Sequence, residues 1–592
     1  MTNEDKALNI LALQLGHNAT ALLAKDGRVA GCVSQERFDN IKNSSAFPRD
    51  PILWLLDQHG VAPSAVDRVA ICGLNIAPNQ LQHLDVEYNT APNAIQQLRT
   101  SMAHAYGWLS YHMGHSWLMQ LLEAFKKKPL FKQVAHSKTR LAQDFKHMGI
   151  TAPIEYVEHH ACHTYSPIYA LGAGAEPTLV FAMDGSGDEY FATISIAENG
   201  QVRTIAASPW CHSLGYVYSK TTQFMGMKPL EHEYKVMGLA AYAKEPYFQK
   251  TYDRVFKGVV DLDPSNPLQF QSRFPMNRFD WHLRAAAVGE RFDNLAGALQ
   301  YFLEDLVLRW VHAAVEQTGI RRIMTSGGVF MNVKLNKRIQ EMPNVDEAFF
   351  MPSCGDESNP FGAAAYVAAQ AGKPLAPLPN IYLGHAYSNQ DVQDFIRNKR
   401  LDEMYDVTFH EDINTAMAQM LADFEVIARV AGAAEFGARS LGNRAILANP
   451  SDLQSFYLVN DQIKARDFWM PFAPSILDTD MDRYVENPKN ISAPYMITAF
   501  DTTPLGQQHL RAAMHQGDKT VRPQTVTPAA NPAYYDLLQK FKACTGIGGL
   551  MNTSFNLHGY PLANTLDQAL FTFENSGLQH LALENFIISK RC

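Results

Sequence analysis

Residues 178–188 read TLVFAMDGSGD, an apolar run that ends in acidic and small residues. The apolar run predicts a buried strand, and the glycines predict a turn over 184–187. Glycines allow close backbone approach to a phosphate, and a carboxylate at a strand end can bind a metal. Asp184 is therefore a candidate catalytic residue that supports a metal or a phosphate, and Gly185 and Gly187 are candidate nucleotide contacts.

A short distance upstream, residues 159–163 read HHACH. His159 and His163 are four residues apart, so on a helix they share one face and can bind one metal ion through their imidazole nitrogens. Such a pair is often incidental, but the Asp-Gly run that follows favours a metal site.

An internal repeat links these motifs to the start of the chain. Residues 177–208 predict a strand, the Gly-bearing turn, a second strand, an Asn-Gly turn at 199–200 and a third strand. Residues 8–36 repeat this plan, with a turn at 16–18 and an Asp-Gly turn at 26–27. Two such halves suggest the duplicated fold of actin-like and sugar-kinase-like ATPases, whose Gly turns face each other across a cleft. Two unrelated hairpins remain the alternative.

Two later motifs extend this half of the chain. Residues 325–332 read TSGGVFMN and predict a strand, a turn at Gly327 and Gly328, and a helix whose amino terminus favours phosphate. Asn332 ends this motif and is a further candidate nucleotide contact. Asp356 then provides another strand-end carboxylate, before an Ala-rich helix.

The length and composition predict several soluble domains. A chain of 592 residues exceeds one ordinary core. We expect a first domain over 1–372 with a helical, aromatic-rich insert at about 80–150, a proline-rich linker over 373–384, and a second domain over 385–592. The fold class is thus α/β and α+β.

The same composition excludes several functions. A net charge of −8 argues against nucleic-acid binding, and no apolar run approaches the length of a membrane span. The amino terminus shows no secretory signal, and the seven cysteines are scattered without a Cys-x-x-Cys pair. We therefore expect a cytoplasmic protein with free thiols.

The predicted second domain carries cations within apolar or Gly-rich sequence. Several Arg and Lys side chains beside Gly and Pro turns favour a site for dense negative charge, because guanidinium groups match phosphate oxygens. Residues 552–556, NTSFN, add short neutral groups that suit a planar amide. The candidate anion-binding residues are Arg439, Lys464, Arg466, Arg522 and Asn552.

Taken in order, these motifs resemble the NodU/CmcH carbamoyltransferase family over nearly the full length. The resemblance rests on residues 16–20 (GHNAT), 35–38, 159–163, 233–239 (EYKVMGL), 327–329, 355–356, 436–444 (FGARSLGNR), 522–525 (RPQT) and 552–556. Each motif alone is weak evidence, whereas the ordered set is specific.

The resemblance implies an ATP-dependent O-carbamoyltransferase. It implies an actin/sugar-kinase-like first domain and a YrdC-like second domain, which forms carbamoyl-adenylate from ATP and carbamoyl phosphate. The first domain would then transfer the carbamoyl group to a hydroxyl of a small natural product, with a divalent metal, expected to be Fe²⁺. A homodimer is a further expectation.

The resemblance also assigns roles to residues of this chain. It implies that His159, His163 and Asp356 hold the metal, that His17 is the general base for the acceptor hydroxyl, and that Lys42 contacts phosphate. Asn18 stands where the family usually has Asp, and Met470 where it usually has Arg. These departures put in doubt a carboxylate that orients His17 and the strength of donor binding.

Three other functions stay open at this point. A small-molecule kinase of the same fold superfamily would need no cationic second domain. A metallohydrolase would leave the repeat of Gly turns unexplained. A nucleotide-binding scaffold with a degenerate site is the third alternative.

Overall fold

The computed structural model describes residues 8–75, 109, 111–113, 134–172 and 176–591. The chain forms two compact units. The first comprises residues up to Ala30 and Asn43–Leu378, and the second comprises Gly31–Lys42 and Pro379–Cys592. Most of the helical insert expected at about 80–150 lies outside the described residues, although 134–147 form a helix.

The first sheet of the chain has five strands in the order β3-β2-β1-β4-β5. Strand β1 pairs antiparallel with β2 and parallel with β4, and β4 pairs parallel with β5. The strands are β1 Ile10–Gln14, β2 Thr20–Lys25, β3 Arg28–Ser34, β4 Arg68–Cys72 and β5 Ile154–Val157.

A second five-stranded sheet repeats this topology in the order β8-β7-β6-β11-β12. Strand β6 pairs antiparallel with β7 and parallel with β11. The strands are β6 Thr178–Gly187, β7 Tyr190–Glu198, β8 Gln201–Pro209, β11 Arg322–Ser326 and β12 Glu347–Phe350, and the hairpin of β9 Val260–Asp263 and β10 Asn266–Ser272 forms a separate sheet. The predicted internal repeat is therefore confirmed at the level of sheet topology.

The turn predicted over 184–187 is wrong in position. Strand β6 continues through Gly187, with an irregular register between Met183 and Gly187, and the chain reverses at Asp188. Asp188 takes the left-handed conformation, at φ 50°. The glycines therefore form the irregular end of the strand, which keeps Asp184 at the edge where β6 and β11 end.

Helices cover the two sheets of the first unit. They are Arg49–Gln58, His159–Leu171, Leu214–Phe224, Glu233–Ala240, Tyr247–Val255, Phe279–Ala286, Phe292–Thr318, Val333–Gln340 and Asn359–Gln370. The longest, Phe292–Thr318, buries Trp310 against Phe181 and Phe270. Aromatic packing of this kind anchors the helix on the second sheet.

The second unit is built on an eight-stranded mixed sheet in the order β13-β22-β21-β14-β15-β20-β16-β19. Its strands are β13 Tyr405–Phe409, β14 Ile427–Val430, β15 Arg444–Ala448, β16 Ala473–Leu477, β19 Gln524–Val526, β20 Gly549–Ser554, β21 His580–Leu583 and β22 Phe586–Lys590, with β17 Phe500–Asp501 and β18 Thr520–Val521 as a separate pair. The α-helices are Glu36–Asp39, Asn389–Lys399, Leu401–Met404, Ile413–Ala422, Leu453–Val459, Met481–Tyr484, Pro504–His509, Pro532–Thr545 and Leu566–Glu574.

This unit has apolar cores on both faces of its sheet. One contains Phe456, Phe472 and Phe573, and the other contains Leu537 and Phe541 of the helix Pro532–Thr545. Within the described ranges, no helix is long and apolar enough to cross a membrane. The observed architecture is a mixed α/β protein.

Candidate functional site

Four side chains of the first unit converge at the ends of its strands. The Nε2 atoms of His159 and His163 lie 3.1 Å apart, and Asp356 Oδ1 lies 3.5 Å and 3.4 Å from them. Asp184 Oδ2 lies 3.5 Å from His159 Nε2. One potential ligand atom from each residue falls within 4.8 Å of all the others. We call His159, His163, Asp184 and Asp356 the His/Asp group.

The start of the helix His159–Leu171 is fixed by two carboxylates. Glu158 is its N-cap and accepts a hydrogen bond from Ala161 N at 2.7 Å. Asp188 Oδ2 accepts one from His159 N at 2.9 Å. These bonds satisfy amide groups that a helix amino terminus otherwise leaves unpaired, and they orient the first turn, which carries His159.

Two glycines allow the close packing that brings the group together. A Cβ atom on Gly187 would lie 2.0 Å from the ring of His159, and one on Gly362 would lie 1.8 Å from the carbonyl oxygen of Cys162. Gly362 belongs to the helix Asn359–Gln370, which packs on the helix that carries His163. Only glycine leaves room at both positions.

Further hydrogen bonds orient the members of the His/Asp group. Gly328 N donates to Asp184 Oδ1 at 3.0 Å, and Gln14 Nε2 approaches Asp356 Oδ2 at 3.4 Å. Ser326 Oγ lies 3.3 Å from His163 Nδ1, which leaves Nε2 directed at the carboxylates. Outer contacts of this kind fix ligand geometry in metal sites. The sequence analysis singled out neither Gln14 nor Ser326, and their strand-end positions were the only signal available.

The electrostatics of the group fit a divalent cation. Burial disfavours the imidazolium form, but Asp356 and Asp184 outweigh it and raise the pKa of His159 to about 10. Burial also opposes ionisation of Asp184, yet the neighbouring histidines hold its pKa below its usual range. Asp356 Oδ1 is buried without a hydrogen-bond partner. Two imidazoles and two carboxylates, one of which contains this oxygen, form a donor set that suits a transition metal or zinc.

The turn that carries His17 connects β1 to β2. Asn18 Nδ2 donates to Glu357 Oε2 at 3.0 Å. Burial raises the pKa of Glu233, and an electrostatic interaction with His17 partly offsets this rise. The side chains of Glu233 and His17 therefore lie within electrostatic range of each other. Neither Glu357 nor Glu233 was singled out as a site residue from the sequence, because each becomes relevant only through residues distant in the chain.

The remaining candidates of the first unit differ in their contacts. Gly327 has φ 101°, and a Cβ there would lie 2.2 Å from Met183 O, so this turn lies against the end of β6. Asn332 caps the helix Val333–Gln340 and exchanges two side-chain hydrogen bonds with Gln300. The side chain of Asn332 is therefore engaged in structural bonds, whereas Gly185 has open space beside its Cα.

In the second unit, two of the guanidinium groups predicted from the sequence, those of Arg439 and Arg466, lie within electrostatic range of a third, that of Arg522. Burial lowers the pKa of Arg522 well below its usual range, and the positive charges of Arg439 and Arg466 lower it further. Mutual repulsion between partly buried cations is unfavourable unless an anion offsets it. We call Arg439, Arg466 and Arg522 the guanidinium cluster.

Lys464 has a different environment. It is 1% exposed, and its ammonium group donates to Ser554 O at 2.5 Å, Asn556 O at 2.9 Å and Asn556 Oδ1 at 2.5 Å. Burial and the charges of Arg466 and Lys42 lower its pKa well below the usual range. Lys464 thus organises the 552–556 segment, and its donors are directed at protein oxygens.

The loop that carries Arg439 is held by a carboxylate that the sequence analysis did not identify. Glu435 Oε1 accepts hydrogen bonds from the backbone of Leu441, Asn443 and Arg444, at 2.5 Å, 3.2 Å and 3.3 Å. Asn552 Nδ2 donates to Ser440 O at 3.2 Å in the same loop. The only feature of the sequence that could have pointed to Glu435 is its place next to a Gly-rich segment that contains arginines.

The buried His/Asp group, set at the strand ends of a duplicated α/β fold, is the arrangement of an enzyme. Comparison with known proteins defines the family. The chain belongs to the carbamoyltransferase family: residues 9–365 match the model described as Carbamoyltransferase N-terminus, and residues 418–590 match Carbamoyltransferase C-terminus.

Three curated proteins illustrate the relatives to which the chain is similar. An uncharacterized protein of Synechocystis is 28% identical over 97% of this chain and 95% of its own length. Nodulation protein NolNO of Sinorhizobium fredii is 28% identical over 97% of this chain and 79% of its own. The 3′-hydroxymethylcephem-O-carbamoyltransferase of Amycolatopsis lactamdurans is 27% identical over 44% of this chain and 47% of its own.

Proposed function

We propose that this protein is an ATP-dependent O-carbamoyltransferase that acts on a hydroxyl of a small natural product. The second unit, taken as a YrdC-like domain, forms carbamoyl-adenylate. The first unit, taken as an actin/sugar-kinase-like domain, transfers the carbamoyl group. A cephem hydroxymethyl group is the acceptor named for one relative, and it indicates the class of acceptor rather than its identity.

The guanidinium cluster is the observation that carries this proposal. Arg439 and Arg466 add positive charge near buried Arg522, and three guanidinium groups match the several negative charges of carbamoyl phosphate and of the ATP triphosphate. Asn552 lies beside the loop of Arg439, and its Oδ1 is buried without a hydrogen-bond partner. That oxygen is suited to accept a hydrogen bond from the carbamoyl amino group.

The proposed chemistry balances in three steps. Water cleaves carbamoyl phosphate to carbamate and phosphate. A carbamate oxygen then attacks the α-phosphorus of ATP, which breaks the bond to pyrophosphate and leaves carbamoyl-adenylate. Finally, the acceptor hydroxyl attacks the carbamoyl carbon and AMP departs. Adenylation is needed because carbamate itself is a poor electrophile.

In the first unit, the His/Asp group would hold a divalent cation, which we propose to be Fe²⁺. When bound, the cation supplies Lewis-acid charge stabilisation and a template for oxygen ligands. His17 accepts the proton of the acceptor hydroxyl, since a neutral imidazole nitrogen can act as a general base. Gly185 has open space beside its Cα and provides the close approach that a phosphate of the adenylate requires, whereas Gly187, Gly327 and Gly328 contribute by packing against His159, Met183 and Asp184.

The test is pyrophosphate release from ATP, measured with and without carbamoyl phosphate. We expect release that depends on carbamoyl phosphate and falls at least about 100-fold in Arg439→Ala, since a charge-assisted contact to phosphate contributes roughly 3 kcal/mol. Arg397→Ala is the matched control, because Arg397 is an exposed residue of the same unit paired with Asp394. It should release pyrophosphate at the wild-type rate.

Two outcomes would overturn the proposal. Absence of pyrophosphate release under all conditions would remove the adenylation step. Formation of ADP in its place would favour a small-molecule kinase, which shares the duplicated fold but needs no carbamoyl phosphate.

A further inference from the structure

The turn that carries His17 is joined to the loop of Asp356 by two amide side chains. Gln14, the last residue of β1, approaches Asp356 Oδ2 at 3.4 Å, and Asn18 donates to Glu357 Oε2 at 3.0 Å. The two amides flank His17 in the sequence. They meet two consecutive carboxylates of a loop more than 300 residues away in the chain.

Glu357 is fixed in that loop. Its other oxygen accepts a hydrogen bond from Ser353 Oγ at 2.5 Å, and the side chain is buried. A Cβ on Gly355 would lie 2.3 Å from Glu357 Oε2, so the carboxylate fills the space beside the loop backbone. The acceptor that Asn18 meets is therefore held in place by its own surroundings.

The backbone of Asn18 is fixed as well. Its φ of 57° lies in the left-handed region, which Asn tolerates better than most residues. Thr20 Oγ1 donates to Asn18 O at 2.8 Å, and Ala19 N donates to Ser44 O at 3.0 Å. With both ends of the contact restrained, the Asn18–Glu357 hydrogen bond determines where the turn sits relative to Asp356.

The chemistry of the pair is specific to an amide and a carboxylate. A carboxylate at position 18 would face the carboxylate of Glu357 without a donor between them, where the amide now donates at 3.0 Å. An amide donor in that position matches the lone pairs of Glu357, and no other donor of the turn is required.

We propose that Asn18 and Glu357 are a positioning pair that sets the location of His17 relative to the His/Asp group. Neither is a catalytic residue. The inference rests on the proposed function, in which His17 accepts the proton of the acceptor hydroxyl. It also explains how the turn is held although no carboxylate follows His17 in the sequence.

Charge exchange within the pair provides the test. The variants are Asn18→Asp, Glu357→Gln and the double variant, which has the same net charge as the wild type and restores an amide–carboxylate contact in reverse. Asn344→Asp is the matched control: Asn344 lies near His312 in the same unit and makes no contact with the turn. Hydrogen exchange of the peptide over 15–19 reports on the turn, and AMP release with water as acceptor reports on transfer.

We expect Asn18→Asp to accelerate exchange at Ala19 about tenfold and to slow AMP release about tenfold, because it replaces the donor of a hydrogen bond to a buried carboxylate by a second acceptor. The double variant should return both values to within about threefold of the wild type. Pyrophosphate release should stay unchanged in all variants, and Co²⁺ affinity should stay unchanged in Asn18→Asp, because Asn18 bonds to Glu357 and not to a member of the His/Asp group.

Three results would overturn the inference. Asn18→Asp could behave as the wild type, the double variant could be as impaired as Asn18→Asp, or Co²⁺ affinity could fall in parallel with AMP release in Asn18→Asp. Failure of the proposed function is distinguishable, because it would remove pyrophosphate and AMP release from the wild type while hydrogen exchange still reports on the pair.

Discussion

Replacing Gly187 by Ala tests whether the ring of His159 lies where the structure places it. The added Cβ would lie 2.0 Å from the Cγ and Cδ2 atoms of His159, whereas ordinary contact begins at 3.4 Å. The difference between these two distances, 3.4 − 2.0, requires the ring to move by 1.4 Å. Metal–ligand distances tolerate only about 0.2 Å of change.

The expected consequence is loss of one ligand of the His/Asp group. Disturbing even an outer-shell partner of a ligand lowers metal affinity by about 10- to 100-fold, so displacement of the ligand itself should reach about 100-fold or more. A factor of 100 corresponds to about 2.7 kcal/mol of binding free energy. His159→Ala removes the same ligand without crowding and should show a similar loss.

The assay is titration of the chelator-treated protein with Co²⁺ against a chromophoric chelator. Gly185→Ala is the matched control, because it makes the same change two residues away, where a Cβ would meet nothing within 4 Å. Thermal unfolding of each variant checks that the fold is kept.

The outcome that refutes this reasoning is an affinity for Co²⁺ in Gly187→Ala within about threefold of both Gly185→Ala and the wild type. That result would mean that His159 is not a ligand or that its ring is seated elsewhere. Equal loss in the Gly185 and Gly187 variants would also contradict it, because only one of the two meets the ring.

Three further predictions concern the second unit. Asp480→Asn should lower the free energy of unfolding by about 2 kcal/mol at pH 7, since buried Asp480 pairs with Lys542 and Arg483, which are partly exposed. Burial opposes ionisation of Asp480, but these pairs outweigh it and lower the pKa, so in denaturant titrations the loss should shrink as the pH falls below the usual range of an Asp. Lys464→Met should destabilise the unit by about 3 kcal/mol, measured by urea unfolding, because buried carbonyl oxygens lose their donor. Glu435→Ala should weaken phosphate binding at the loop of Arg439 about tenfold in calorimetry, whereas Glu435→Gln, which keeps an acceptor oxygen, should lose less.

Local patterns in the sequence were sufficient for the repeat of the first unit. Alternating apolar residues and Asp-Gly or Asn-Gly pairs specify hairpins over a few residues, and the sheets follow those hairpins. The turn at 184–187 was misplaced because glycine at a strand end signals either a turn or an irregular strand, and local sequence does not distinguish them.

The candidate site, too, could be predicted from the sequence only in part. His159 and His163 are four residues apart, and residues at this spacing share one face of a helix, so the sequence alone predicts that the two side chains lie together. Asp184 could be placed at a strand end, but the 3.4 Å approach of Asp356 to His163 depends on parallel pairing of β6 with β11 and of β11 with β12. Those pairings join segments far apart in the chain.

The sequence by itself therefore determined the repeated α/β plan, the histidine pair and the presence of cations in the second unit. Only the tertiary structure decided which cations lie within electrostatic range of Arg522 and which, like Lys464, donate to protein oxygens. It also decided the Asn18–Glu357 contact and the close passage of Gly187 by His159. The physical reason is that periodicity and turn chemistry act over a few residues, whereas donors, acceptors and free volume are matched by packing between segments that no local pattern relates.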